Sequence, residues 1–367
     1  MRTEQIRVLH LISSLQQGGA ERQLIELVKQ NDNHVICQLI SGNAFENEIN
    51  NTKIQIFDLK TKKLFSFIIN LYKLNKIIKN NKPDIINTWM YHSSLILALI
   101  KLMRIKNNIP LIWGLRCSNM DTSHYSMLLK IVIKCCKFCS YIPEVIVNNS
   151  EAGLNYHKNL GFKNKHIVIH NGIDTSRFLY NEKIRNNFRT RYKISKTAKV
   201  LLCVGRNDPM KDHNTLIKTF KKLKKKFPSV ILLLAGSGTE KIKNVNNMLT
   251  LGSRKDIEHI YSASDIIVSS SAFGEGFSNA LAEGMSSKLI PIATKVGDAP
   301  YILGDIGRLI KPKSIKELYR AIADILKLDN DSFENQKKLA RIRILNNFSQ
   351  NKMIASYNKL YSEIVNK

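Results

Sequence analysis

No stretch of the 367-residue sequence reaches the ~18 to 20 uninterrupted apolar residues that a helix needs to span a bilayer. Leu95 to Leu102 is broken by Lys101, and Met127 to Cys139 by Lys130, Lys134 and Lys137, so a membrane can be touched but hardly crossed. Met1 to Arg7 is polar and leads straight into an apolar strand, without the pattern of a secretory leader, so the expected location is the cytoplasm. Cysteine is sparse at six residues, which argues against a disulfide framework. Cys135-Cys136-Lys137-Phe138-Cys139 lacks a second cysteine pair or a histidine at zinc spacing and reads as buried thiols on a helix. Acidic residues are also few, 29 Asp and Glu against 57 Lys and Arg, a net charge of +28. Nucleic acid, an anionic membrane and a drift toward Lys and Asn would each explain it. No finger, helix-turn-helix, RNP signature or basic tail is present, and Lys is spread along the chain among Asn, which favours drift and speaks against nucleic acid. Lys60 to Lys82 is basic, aromatic and helically periodic, and reads either as a helix on the anionic inner-membrane surface or as a packed helix with a solvated Lys face.

The composition that remains, 44% hydrophobic and 23% charged, is that of a globular protein long enough for two domains. Apolar runs of strand length at Val8 to Ile12, Val35 to Ile40, Ile54 to Leu59, Ile85 to Trp89, Leu111 to Leu115 and Val145 to Asn148 alternate with helical patterns. A second alternation follows at Val200 to Gly205, His213 to Phe227, Val230 to Ala235, Ile266 to Ser269 and Leu289 to Ala293, and the polar segment Arg177 to Lys199 reads as a linker. The expected fold is α/β, two doubly wound parallel-sheet domains facing a cleft. Ligands of such sheets bind beyond the carboxyl ends of the strands, where Gly18, Gly19, Arg116, Arg206 and the Gly274 to Gly276 turn all fall.

Ser269 to Met285, S-S-S-A-F-G-E-G-F-S-N-A-L-A-E-G-M, carries Glu275 in a glycine-flanked turn and Glu283 within a helix that starts after Ser278. The helix N-terminus between the two acids offers unpaired N–H groups and a positive dipole end, which suit a phosphate. A sugar nucleotide matches that layout, and a plain loop and surface helix is the other reading. In Val204-Gly205-Arg206-Asn207-Asp208-Pro209-Met210-Lys211, two cations beyond a strand can approach a diphosphate from two sides. Gly18-Gly19-Ala20-Glu21-Arg22 opens a helix and lets backbone N–H groups come close to a phosphate or sugar, without the G-x-G-x-x-G spacing of dinucleotide binders.

Together with Asn148-Asn149-Ser150, Asn171-Gly172-Ile173-Asp174 and Ala235-Gly236-Ser237-Gly238, these motifs occur in the order typical of retaining glycosyltransferases of the GT-B fold, the large group 1 (family 4) class. The resemblance runs from about residue 8 to 361. It implies two Rossmann-like domains: residues 1–180 binding the acceptor, residues 181–349 binding the nucleotide-sugar donor, and a terminal helix at 350–367 crossing back to the first. It also implies transfer with retention of anomeric configuration, no required metal or cofactor, and a glycan or lipid-linked acceptor in surface polysaccharide synthesis. By that resemblance Arg206 and Lys211 grip the diphosphate, Glu275 holds donor-sugar hydroxyls and Glu283 the ribose diol. Backbone groups of Phe277, Ser278 and Asn279 complete the phosphate cradle, Gly276 binds substrate, Gly19 places its backbone N–H near the donor phosphate or the reacting centre, and no enzymic nucleophile is expected.

One position departs from the pattern. Many relatives carry a His after the fifth strand where this chain has Arg116, which would bind an acidic sugar or a phosphate, or brace the loop. His92, after another strand, lines the cleft or is an ordinary loop histidine. Asp329-Asn330-Asp331 resembles a metal-binding D-x-D but sits between two helices, where turn and cap chemistry explains it. The rival readings are a sugar-nucleotide epimerase of the same fold and a basic nucleic-acid-binding protein.

Overall fold

The structure, a computed structural model, describes residues 6–16, 18–29, 31–42, 44–50, 52–61, 64–102, 108–118 and 126–366; of residues 47 and 64–69 only the backbone is described. The chain forms two compact units, residues 1–172 with 350–367, and residues 173–349.

The first unit is built on a seven-stranded, wholly parallel sheet in the order β3-β2-β1-β4-β5-β6-β7. Its strands are β1 (Val8–Ile12), β2 (His34–Gln38), β3 (Gln55–Asp58), β4 (Ile85–Trp89), β5 (Leu111–Leu115), β6 (Val145–Asn148) and β7 (His166–Val168). Every residue of β1, β2, β4 and β5 is buried, so these strands are mainly apolar without strict alternation, and His10, His34, Gln38, Asn87 and Thr88 are buried within them. Helices α3 (Leu64–Asn81), α4 (Met90–Leu102) and α5 (Met127–Cys139) cover one face through Leu74, Ile78, Leu97, Ile100, Val132 and Ile133. The other face is covered by α1 (Gly19–Val28) and by the terminal helix α14 (Gln350–Val365), whose Met353, Tyr357, Leu360, Tyr361 and Ile364 are all buried. Gln23 on α1 ties down the chain at Gly172, exchanging bonds of 2.8 and 3.0 Å with its N–H and carbonyl. A Cβ at Gly172 would lie 2.7 Å from Gln350 Cα, so only glycine lets α14 approach this closely.

The second unit repeats the architecture on a six-stranded parallel sheet, β10-β9-β8-β11-β12-β13. The strands are β8 (Val200–Val204), β9 (Ile231–Ala235), β10 (Met248–Thr250), β11 (Ile266–Ser269), β12 (Ile290–Thr294) and β13 (Arg308–Ile310). One face is packed by α8 (His213–Lys226) and α12 (Ile315–Leu326), the other by α9 (Ile257–Ala263), α10 (Asn279–Ser286), α11 (Ala299–Leu303) and α13 (Asn330–Asn347).

The segment read as a linker is instead structured as α7 (Glu182–Arg191), capped by Asn181, whose side chain accepts from Ile184 N–H. Its polarity hides a polar anchor: Arg189, 2% exposed, gives Nε to Ala263 O and Nη2 to Asp265 at 2.8 Å. In each sheet the strand order reverses at one place, between β1 and β4 in the first and between β8 and β11 in the second. Connections leave in opposite directions there and open a crevice at the carboxyl ends of the strands.

Candidate functional site

Lys211 and Glu275 meet at the switch point of the second unit. Lys211 ends a 3-10 turn (Pro209–Lys211) that follows β8 and is capped by Asp208, whose carboxylate accepts from Met210 N–H at 2.9 Å. Its ammonium donates to Glu275 Oε1 at 2.5 Å, and the Ser271 hydroxyl donates to the same oxygen at 2.7 Å. Glu275 is 8% exposed. Burial alone would raise its pKa, but the Lys211 charge, the hydrogen bonds from Lys211 and Ser271, and the more distant Arg206 outweigh it and hold the carboxyl below its usual range. The loop carrying Glu275 is braced from beneath: Asp298 N–H donates to Gly276 O at 3.0 Å. Gly297 has φ 57°, and a Cβ there would come within 2.3 Å of Glu275 O and 2.6 Å of Gly276 O. Arg206 stands apart from this pair, its side chain 61% exposed and its Nε 3.1 Å from Asp208.

Ser278 precedes α10 with extended backbone and makes no side-chain cap bond, so the first N–H groups of the helix receive nothing from it. Gly276, Phe277 and Ser278 are buried; Phe277 packs edge-on against Phe348 at 5.3 Å. Glu283 sits half-buried in the middle of α10, and Tyr261 donates to its Oε2 at 2.8 Å. Burial and the neighbouring Glu283 push the Tyr261 phenol well above its usual pKa, so it remains a donor. Glu275, Lys211, Glu283 and the α10 N-terminus thus share the carboxyl end of one sheet, fixed by partners that the sequence reading did not name: Ser271, Tyr261 and Gly297.

The other candidates belong to the first unit. Gly18 is the N-cap of α1 with no side-chain cap bond, and Gly19 is its first residue. Arg116, directly after β5, is 9% exposed and lies over the Trp89 ring at 4.3 Å. Its Nε, Nη1 and Nη2 are all buried without a hydrogen-bond partner among the described residues. His92 is exposed on the first turn of α4. Asp329 caps α13, accepting from Ser332 N–H and hydroxyl at 2.8 Å, which is the turn chemistry expected of it. Cys135, Cys136 and Cys139 lie on α5 as free thiols, and among the described residues no group of three His, Cys, Asp or Glu is placed to hold a metal ion.

Comparison with known proteins accounts for both units. Residues 17–177 match the family model described as Glycosyltransferase Family 4, and residues 184–343 the model described as Glycosyl transferases group 1. An uncharacterized glycosyltransferase of Methanocaldococcus jannaschii is 27% identical over 337 residues, covering 81% of this chain and 80% of its own. The capsular polysaccharide biosynthesis glycosyltransferase CapH of Staphylococcus aureus is 26% identical over 229 residues, 60% of this chain and 59% of its own. The crystal structure of Anabaena HepE in complex with UDP-glucose has a TM-score of 0.84 at 19% identity, covering 98% of this chain and 100% of that one. With one family domain following the other, each a doubly wound parallel sheet, the chain is a glycosyltransferase of the GT-B fold.

Proposed function

We propose that the enzyme is a retaining hexosyltransferase that moves a sugar from a nucleoside-diphosphate sugar to a glycan or lipid-linked acceptor in surface polysaccharide biosynthesis. The observation that carries this reading is the buried Lys211–Glu275 pair at the β8/β11 switch point, with the α10 N-terminus and Glu283 beyond it. Glu275, kept ionised, accepts hydrogen bonds from hydroxyls of the donor sugar. Lys211 and the exposed Arg206 neutralise the charge that grows on the departing diphosphate, each worth ~3 to 4 kcal/mol in the transition state. Glu283, oriented by Tyr261, takes the ribose diol. The acceptor hydroxyl forms its bond to the anomeric carbon on the side from which the diphosphate leaves, and the diphosphate oxygen takes the proton. Charge neutralisation by Lys211, Arg206 and backbone N–H groups asks for no metal. The UDP-glucose complex of HepE and the capsular role of CapH support the substrate class. Incubation with a panel of nucleoside-diphosphate sugars and lipid-linked acceptors, with the product anomer read by NMR, tests it. Transfer with an unchanged anomeric configuration is expected; an inverted product, or free isomerised donor without transfer, contradicts it.

We further propose peripheral association with the inner face of the cytoplasmic membrane. No helix among the described residues is long and apolar enough to cross a bilayer. In the described half of α3, Leu74 and Ile78 are buried, while Tyr72 is 72% exposed. On α5, Met127, Leu128, Ile131 and Phe138 are exposed at helical spacing among Lys130, Lys134 and Lys137, without an acidic residue on the helix. An apolar and basic face of this kind suits anionic lipid. Sedimentation with anionic liposomes is expected to carry the protein down at low salt, and recovery wholly in the supernatant contradicts the proposal.

A further inference from the structure

Arg116 and Arg189 are both buried, and the fold treats them in opposite ways. Arg189 gives Nε to Ala263 O, Nη1 to the carbonyls of Ser195, Lys196 and Ala198, and Nη2 to Asp265. Arg116 gives nothing among the described residues, where none of its three nitrogens has an acceptor. A guanidinium stays charged at any accessible pH, and its N–H groups pay a large desolvation penalty when no acceptor replaces water. Stacking on Trp89 orients its plane and offsets part of that penalty but satisfies no donor. Burial accordingly works against its charge, a tendency that Tyr357, Tyr361 and Glu21 oppose only in part.

The guanidinium is also held rigidly. Trp89 donates its indole N–H to His10 Nδ1 at 3.1 Å, which fixes the stacking platform. His157 donates Nδ1–H to Gly153 O at 2.6 Å, so its Nε2 accepts from the Tyr91 hydroxyl at 2.7 Å. The Tyr91 oxygen then accepts from Cys117 Sγ at 3.2 Å, locking the residue next to Arg116. Glu21, the acid nearest in charge, forms no ion pair with Arg116. Its Oε2 folds back to within 2.2 Å of where a Gly18 Cβ would sit, and its carboxylate takes a hydrogen bond from its own backbone N–H. A rigid, unfilled set of donors beside the β1/β4 switch point is an arrangement preorganised for a ligand.

We propose that Arg116 is an anion-binding residue that takes an oxyanion, carboxylate or phosphate, carried by a substrate of the transfer reaction, and so selects a charged substrate over a neutral one. The identity of that substrate rests on the glycosyltransferase reading; the anion site does not. Both anions present paired oxygens that match two parallel N–H donors of the fork.

Trp89 reports on the site directly. The chain has two tryptophans, and the other, Trp113, is buried with its Nε1 unpartnered, so Trp113→Phe leaves Trp89 as the only indole signal. That protein, with and without Arg116→Met, is titrated at constant ionic strength with inorganic phosphate, methyl glucuronide and methyl glucoside. A saturable change in emission is expected with at least one anion and none with methyl glucoside, and Arg116→Met is expected to weaken it about 10- to 100-fold. A response to phosphate alone assigns the site to a phosphorylated substrate, one to methyl glucuronide alone to an acidic sugar, and one to both to any oxyanion. The ligand-free melting midpoint of Arg116→Met is expected at or above that of the parent, because the substitution removes an unpaired buried charge. No response to either anion, a response that Arg116→Met retains, or a fall in midpoint as large as that of Arg189→Met overturns the proposal. UDP, GDP and ADP are titrated in parallel by calorimetry: failure of all three to bind would count against the proposed nucleoside-diphosphate-sugar donor and leave the anion site standing.

Discussion

Separating Lys211 from Glu275 tests whether the site is a built ion pair or two surface charges. At 2.5 Å, in an effective dielectric near 20, the gross attraction is about 7 kcal/mol, and the side chains are only 18% and 10% exposed. Most of that attraction repays desolvation, so the measurable quantity is the cost of leaving one partner alone, about 3 to 5 kcal/mol for a buried ion. The two single variants should differ. Lys211→Met strands a carboxylate fixed in a buried turn, whereas Glu275→Met frees an ammonium whose flexible stem can reach water at a cost of about 1 to 3 kcal/mol. Lys211→Met/Glu275→Met should recover to within about 1 to 2 kcal/mol of the parent, a coupling of at least 2 kcal/mol. The sign with pH follows: without Lys211, burial raises the Glu275 pKa, so the Lys211→Met deficit should shrink as pH falls from 8 to 5 and the carboxyl takes up a proton. Melting midpoints across this range supply the cycle, with 1 kcal/mol moving the midpoint by roughly 2 to 4 °C for a domain of this size. Calorimetric titration of a nucleoside-diphosphate sugar supplies the functional arm, in which the double variant regains stability without binding. Single variants within about 0.5 kcal/mol of the parent, or a double variant equal to the sum of the singles, would refute the reasoning.

Three further outcomes are expected. Gly297→Ala puts a Cβ against the Glu275 and Gly276 carbonyls at φ 57°, so it should displace the Glu275 turn and cost both roughly 2 to 4 kcal/mol of stability and most of the donor affinity, read by melting and calorimetry. Arg189→Met should cost about 3 to 5 kcal/mol by taking one of its two guanidinium partners from buried Asp265, which keeps Arg185, and the side-chain donor from four carbonyls, with unchanged donor affinity in whatever protein remains folded. His34, His157 and His213 are held by burial at a pKa of about 4, so the unfolded chain protonates first as pH drops. Their neutral-state stability is complete above ~6.5 and is lost between ~6.5 and 4, by up to about 1.4 kcal/mol per pH unit for each histidine; a flat melting midpoint across that window contradicts it.

Where the strands are buried on both faces, their mainly apolar runs made them legible from sequence, and the strand-end rule pointed to Arg206 and to the Gly274 to Gly276 turn that carries Glu275. Strands of three residues, β7, β10 and β13, leave too little pattern to read and come from pairing with a longer neighbour. Helix α7 was hidden because its anchor is a guanidinium satisfied by the loop that follows it and by Ala263 and Asp265, distant in sequence, contacts with no periodic signature. The same limit applies at the site. Lys211 and Glu275 were read as separate holders of diphosphate and sugar, and their pairing required a turn after β8 to meet one after β11. At Arg116 the residue type was visible, but its unfilled donors and its platform, Trp89 of β4 fixed by His10 of β1, were not.

The central claim is that Glu275 and Glu283 lie along a sugar nucleotide, one at the sugar and the other at the ribose. Calorimetric titration of a nucleoside diphosphate and of its sugar, in the presence of a chelator, against the parent, Glu275→Ala and Glu283→Ala tests it most directly. Glu283→Ala should weaken both ligands alike, by about 10-fold or more, and Glu275→Ala only the sugar-bearing one. Equal binding by all three proteins, or loss of the bare nucleoside diphosphate on Glu275→Ala with Glu283→Ala unaffected, would contradict the account.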